Sequence, residues 1–174
     1  VDTSAAPVVS LCGGEPTIYP ELPELVSEII DRKRHIYLCT NGLLLDTKVY
    51  GVIPPNKRLM INVHLDGMRE THDRVCAREG VFDRAIEMIR EGVKLGHHMM
   101  ANMTIFKETD VGEVEELRRV GIGVQQVALL VGHHHRGLDL PEHRVRRQVG
   151  AHSLIPLSHN RPPNTATDRL ARRP

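Results

Sequence analysis

Ser10-Leu11-Cys12-Gly13-Gly14-Glu15-Pro16 decides how the chain is read. It follows an apolar run from Pro7 to Leu11 and precedes a helical pattern that begins near Leu22. β-Branched residues, then paired glycines, then an acid and a proline, read as strand, tight turn, loop and helix. Gly13 and Gly14 carry no Cβ, so a ligand can approach the backbone closely there. Glu15 puts a carboxylate at the strand's C-terminal mouth, where α/β folds place their ligands. A carboxylate beside exposed backbone N–H and C=O groups suits a ligand that carries both an ammonium and a carboxylate.

Working outward, Leu22 to Arg34 place Leu22, Leu25, Val26, Ile29 and Ile30 on one helical face. Pro23 fits the first turn, and Lys33 and Arg34 suit the C-terminal dipole. His35 to Thr40 form a second strand, ended by the turn signal Asn41-Gly42. Residues 43–58 hold a short helix broken by Pro54-Pro55. Leu59 to Leu65 form a third strand, closed by Asp66-Gly67. Val81 to Leu95 form a helix with Phe82, Ala85, Ile86, Ile89 and Val93 on one stripe, and Gly96 stops it. His98 to Phe106 form a fourth strand, and Val111 to Val120 a helix with Asp110 as N-cap. Val124 to Val131 complete the pattern as a fifth strand. Strands alternating with helices imply an α/β fold with a parallel sheet, either a doubly wound sheet or a partial barrel.

Strand parity locates a site. Side chains alternate faces along a strand. Ser10 and Cys12 share a face, as do Cys39 and Asn41, as do Asn62, His64 and Asp66, and as do Asn102 and Thr104. The opposite faces are apolar. A parallel sheet covered by helices on both sides is apolar on both. A polar face repeated on four strands therefore implies a lumen that binds something, although at any single position a hydrogen-bonded core polar is the alternative.

The 174 residues fit one domain of ordinary size, and a net charge of +1 argues for neither nucleic acid nor a membrane surface. Three widely spaced cysteines do not make a secreted disulfide framework and indicate a reducing, cytoplasmic setting. No apolar run approaches the roughly 18 residues that a membrane span needs. The opening without Met, running almost at once into a strand, reads as a fragment. Residues 1–131 form the α/β core. Residues 132–174, with His133-His134-His135-Arg136 and a Pro-rich 156–163, show no periodicity and read as a disordered basic tail. No metal site is assigned there, because three adjacent His cannot all face one ion. The loss of pattern near Val120 is what a shifted reading frame would produce.

Gly13-Gly14-Glu15-Pro16 at a strand end resembles the S-adenosylmethionine contact motif of radical SAM enzymes. Tyr37-Leu38-Cys39-Thr40-Asn41-Gly42, Val63-His64-Leu65-Asp66-Gly67 and Gly80-Val81-Phe82-Asp83-Arg84-Ala85 narrow the likeness to the adenosyl-hopene transferases of hopanoid biosynthesis. The likeness covers roughly residues 5–120. It implies a partial (βα)6 TIM-like barrel, S-adenosylmethionine, and a 4Fe-4S cluster. It also implies an electron donor such as flavodoxin or ferredoxin, and transfer of the 5′-deoxyadenosyl group to the alkene of a hopene-type triterpene. The lipid substrate adds the expectation of peripheral membrane contact.

The resemblance gives Gly13, Gly14, Glu15 and Pro16 to the methionine amino group. Asn41, His64, Asp66 and Asn102 become candidates for the ribose, the carboxylate and the substrate head, with Asp66-Gly67 open to a turn role. Cys39, facing inward, is the candidate donor of a hydrogen atom to the product radical; its alternative is a buried core cysteine. The family's C-x3-C-x2-C cluster motif precedes the Gly-Gly-Glu-Pro strand and is not matched by Cys12, Cys39 and Cys76. The chain as given is therefore expected to lack the cluster and with it the reaction. A competing reading is a non-catalytic α/β module that binds S-adenosylmethionine or a nucleotide. A dehydrogenase reading fails because no G-x-G-x-x-G opens a helix after a strand.

Overall fold

The structure, a computed structural model, describes residues 6–105, 110–119, 126–131 and 154–156. Its strands are β1 (Val8–Leu11), β2 (His35–Thr40), β3 (Leu59–His64), β4 (His98–Ile105), β5 (Gln126–Val131) and β6 (Leu154–Pro156). Its helices are α1 (Leu22–Asp31), α2 (Leu45–Lys48), α3 (Arg69–Val75), α4 (Val81–Lys94) and α5 (Val111–Arg119), with a 3-10 turn at Pro16–Ile18. All strand pairs are parallel, and the sheet runs β1-β2-β3-β4-β5-β6.

This order bears out the partial barrel that the family resemblance implies, over the doubly wound sheet that strand–helix alternation alone leaves open. A doubly wound sheet reverses strand order at a switch point. Here the order never reverses, so right-handed crossovers carry every helix to the same side. The result is a partial TIM-like barrel with an outer layer of helices and an inner face without them. One apolar core confirms the layering. Leu22, Val26 and Ile29 of α1, Leu45 of α2, Phe82, Ala85, Ile86 and Ile89 of α4, and Val114 and Leu117 of α5 join alternate strand residues in it. Those strand residues are Ile36 and Leu38, Leu59, Ile61 and Val63, and Met99, Ala101 and Met103, which is the apolar parity.

Element ends follow local chemistry. The helix expected to run to Arg34 stops at Asp31, because Lys33 takes φ 58° and the chain turns back. Lys33 N donates to Ile30 O at 2.7 Å and Arg34 N to Ile29 O at 3.3 Å, a Schellman closure. Gly96, at φ 87°, closes α4 in the same way, with Gly96 N on Val93 O and His97 N on Gly92 O. Residues 43–58 do hold a short helix, but it ends at Lys48, well before Pro54-Pro55. The prolines follow the helix rather than break it. Strand β3 ends at His64, one residue short of the expected Leu65.

α3 has no counterpart in the sequence reading. Its seven residues carry too few apolar positions to show a period. Tertiary bonds set it instead: Glu113 of α5 accepts from Met68 N at 2.8 Å and from Thr71 Oγ1 at 2.7 Å. Asp73 of α3 in turn accepts from Gly80 N at 2.7 Å and Phe82 N at 2.9 Å, capping α4 from outside. The basic tail expected to be without regular structure contributes β6 (Leu154–Pro156), paired with β5. Phe106, Val120, residues 124–125 and the rest of 132–174 lie outside the described residues.

Leu38 and Tyr37 test the two faces, being neighbours that point opposite ways. Leu38 is 0% exposed and Tyr37 41%. Leu38→Ala should cost about 2–5 kcal/mol by urea denaturation, and Tyr37→Ala less than half as much. Equal losses would put helices on both faces.

Candidate functional site

The site is built at the strands' C-terminal ends, and Glu15 holds it together. Glu15 Oε1 accepts from Thr17 N (3.0 Å), Thr17 Oγ1 (2.7 Å) and Thr40 Oγ1 (2.7 Å), while Oε2 accepts from Asn41 N (2.8 Å). Thr40 Oγ1 also accepts from Gly42 N at 3.0 Å. One carboxylate therefore caps the 3-10 turn after β1 and fixes the end of β2. This modifies the role expected for Glu15. Oε1 is saturated and Oε2 keeps one open lone pair, so the carboxylate is largely committed to holding the fold.

Within the Gly13–Pro16 backbone, Glu15 O already accepts from Ile18 N (3.2 Å) and Pro16 O from Tyr19 N (3.0 Å), so the open part is Gly13-Gly14. Gly13 takes φ 102°, which favours glycine. Gly14 has no such need, and a Cβ built on it meets nothing within 4 Å. Among the described residues nothing fills the space beside Gly14.

The polar parity holds on the inner face. Asn62 and Asn102 are each only 7% exposed yet lie outside the apolar core. Cys39 is half-buried, and its Sγ receives Asn62 Nδ2 at 3.7 Å and touches Ser10 Oγ at 3.8 Å. Burial pushes the Cys39 thiol pKa up and keeps its proton on. Asn62 Oδ1 is buried with no protein partner and is an acceptor open to a ligand.

His64 sits between two partners. Its Nδ1 lies 2.9 Å from Asn102 Oδ1, and its Nε2 lies 2.7 Å from Asp66 Oδ1. That Asp66 oxygen is buried and receives no well-aligned hydrogen bond, so the contact with His64 is chiefly electrostatic. The Asp66 contact raises the His64 pKa against the opposing effect of burial. Asp66 N donates to His72 Nδ1 at 3.1 Å, and burial lowers the His72 pKa, leaving a neutral ring. Asn41 stands apart from this group: its side chain is exposed, and its Oδ1 accepts from Leu43 N at 2.9 Å as a turn.

The structure thus brings His64, Asp66 and Asn102 into one constellation, and Cys39 with Asn62 into another, beside the Gly13–Pro16 loop. Thr17, Thr40 and Asn62 are site residues beyond those picked from the sequence. Asn62 carried a signal, since it shares parity with His64; the two threonines carried none.

A half-barrel with an open, glycine-bearing loop after its first strand places the candidate site at the strand mouths, where barrels of this kind carry theirs. The chain belongs to the Radical SAM superfamily, whose profile matches residues 3–121. Members of this superfamily use S-adenosylmethionine and a 4Fe-4S cluster. The chain is 30% identical to Fe-coproporphyrin III synthase of Methanosarcina barkeri over 123 residues, covering 66% of this chain and 31% of that protein. It is 30% identical to a probable GTP 3′,8-cyclase of Metallosphaera sedula over 180 residues, 93% of this chain and 55% of that protein. The chain therefore spans between about a third and just over half of these relatives. Its fold matches that of Streptococcus suis SuiB bound to S-adenosylmethionine, with TM-score 0.72 at 15% identity, over 86% of this chain and 39% of that one.

The residues fit the two cofactors unequally. The open cradle at Gly13-Gly14 and the unpartnered Asn62 Oδ1 suit S-adenosylmethionine, which brings donors and an ammonium. Among the described residues no three His, Cys, Asp or Glu side chains could hold a metal ion, and Cys12, Cys39 and Cys76 are free. These thiols do not form a cluster site. No helix among the described residues is long and apolar enough to cross a membrane.

Two measurements check this geometry. Glu15→Gln presents N–H groups to donors that need an acceptor, and should destabilise the chain by about 1–3 kcal/mol in urea; an unchanged midpoint would remove Glu15 as the tie. The charged form of His64 adds stability that is fully present below the unfolded pKa of about 6.5 and is lost as pH rises through the higher folded value. NMR titration should place the His64 midpoint above 6.5, and Asp66→Asn should lower it.

Proposed function

We propose that the chain is the S-adenosylmethionine-binding core of a radical SAM enzyme that adenosylates a hopene-type triterpene. The observation that carries the first part is Gly14, beside which none of the described residues fills the space. When bound, S-adenosylmethionine supplies the 5′-deoxyadenosyl group that is added to the substrate alkene. The chain's own residues take the following parts. The Gly13 and Gly14 carbonyls accept from the methionine ammonium, and Glu15 and Pro16 hold that loop in shape. Asn62 Oδ1 accepts from a ligand donor inside the barrel. The His64 ring, oriented by Asn102 and Asp66, lies at the strand mouth beside the anionic or hydroxylated groups of the ligand. Asn41 closes the rim.

Cys39 Sγ faces the same lumen. Its raised pKa keeps the S–H bond intact, and a weak S–H bond can give a hydrogen atom to a carbon radical left on the product. The electron donor is a flavodoxin or ferredoxin, the setting cytoplasmic, and contact with the membrane peripheral, through the lipid substrate.

The triterpene reading rests on the strings Tyr37–Gly42, Val63–Gly67 and Gly80–Ala85. A second reading draws on the relatives, whose names place them in porphyrin and GTP chemistry.

Calorimetry with S-adenosylmethionine tests the core. The chain should bind it saturably, and Gly14→Val should weaken binding at least about tenfold, or about 1.4 kcal/mol. Equal binding by the variant would move the site elsewhere. In a full-length relative, the substitution that matches Cys39→Ala should spare S-adenosylmethionine cleavage and reduce adenosylated product from hopene. Turnover of GTP or an iron porphyrin in place of hopene would establish the second reading.

A further inference from the structure

We propose that Cys12 and Cys39 form a redox-active thiol pair on the inner face of the sheet, closed to a disulfide by small-molecule disulfides. The register of β1 on β2 carries the inference. Ser10 pairs with Tyr37 and Leu11 with Leu38, so the next position sets Cys12 against Cys39. Adjacent strands lie about 4.7–4.9 Å apart, inside the Cα separation of about 4.4–6.8 Å that a disulfide spans. Both thiols point to the polar face, and one hydroxyl touches both: Ser10 Oγ is 2.9 Å from Cys12 Sγ and 3.8 Å from Cys39 Sγ. Cys12 lies one residue beyond the end of β1 and just before Gly13, so its backbone can adjust as the bond closes. Cys76 stands apart, beyond α3, with its sulfur 3.7 Å from His72 Nε2.

Exposure sets the order of events. Cys12 is exposed and Cys39 half-buried, so Cys12 meets the reagent first. The Cys12 thiolate attacks an exogenous disulfide R–S–S–R, forming Cys12–S–S–R and releasing R–S⁻. Cys39 then loses its proton and attacks the Cys12 sulfur, expelling a second R–S⁻. The thiolates released take up the protons lost, so two protein thiols and one disulfide become one protein disulfide and two small thiols. The closed form has no S–H at Cys39. The consequence that oxidation silences the hydrogen donor rests on the role proposed above for Cys39; formation of the bond does not.

Oxidised glutathione is the probe, with thiol titration and peptide mapping under non-reducing conditions as the readouts. The whole chain should fall from three free thiols to one and yield a peptide joining Cys12 to Cys39. Cys76→Ser should keep that bond, and Cys12→Ser should leave Cys39 a free thiol. Three surviving thiols, a glutathione adduct on Cys12 without closure, or a bond to Cys76 would each overturn the proposal. So would a native chain that gives the same mixture of pairings as the chain unfolded in urea. None of these readouts requires S-adenosylmethionine or turnover, so failure here and failure of the functional reading are seen separately.

Discussion

One carboxylate organises the C-terminal end of this sheet. Glu15 collects donors from the turn after β1 and from the end of β2, and so ties the two segments beyond the last paired residues, Leu11 and Leu38. Hydrogen bonds to a charged acceptor are the strong ones. By accepting from Thr17, Thr40 and Asn41, Glu15 leaves the Gly13-Gly14 backbone unsupported from within and open to solvent. The motif acid thus works by shaping the loop.

The inner face is layered. Cys39 and Asn62 pair in one row, with Cys12 placed beside them by register. His64 and Asn102 pair in the next row, nearer the strand ends. The lower row carries sulfur and an unsatisfied amide oxygen; the upper row carries a histidine held between Asn102 and Asp66. Sequential parallel order makes this possible, because every crossover leaves the inner face uncovered. The outer helices meanwhile bury the alternate residues of the same strands.

Much of this was legible in the sequence. β2 runs over His35–Thr40 as periodicity and the Asn41-Gly42 turn indicate, and α4 begins at Val81 and stops before Gly96 as its stripe requires. Period-two parity picked the face on which Asn62, His64 and Asn102 are found. What escaped depends on contacts distant in sequence. α3 is held by Glu113, 42 residues beyond Thr71, and no local pattern announces it. Spacing alone did not choose a partial barrel over a doubly wound sheet; the family resemblance did, and the strand order bears it out. Glu15 was legible as an acid at a strand mouth, but its saturation by Thr17 and Thr40 was not, because Thr40 belongs to another strand. Asn41, which parity turned inward, is exposed, and its Oδ1 accepts from Leu43 N in the turn.

The central claim is that the end of the sheet around Gly13 and Gly14 receives S-adenosylmethionine. NMR titration of the isotope-labelled chain tests it most directly, because each backbone amide reports its own surroundings. The account predicts that S-adenosylmethionine shifts the amides of Gly13, Gly14 and Asn41 and the side-chain amides of Asn62 and Asn102, while α3 and α4 stay still. Shifts confined to the helical layer, or no shifts at saturating ligand, would contradict it.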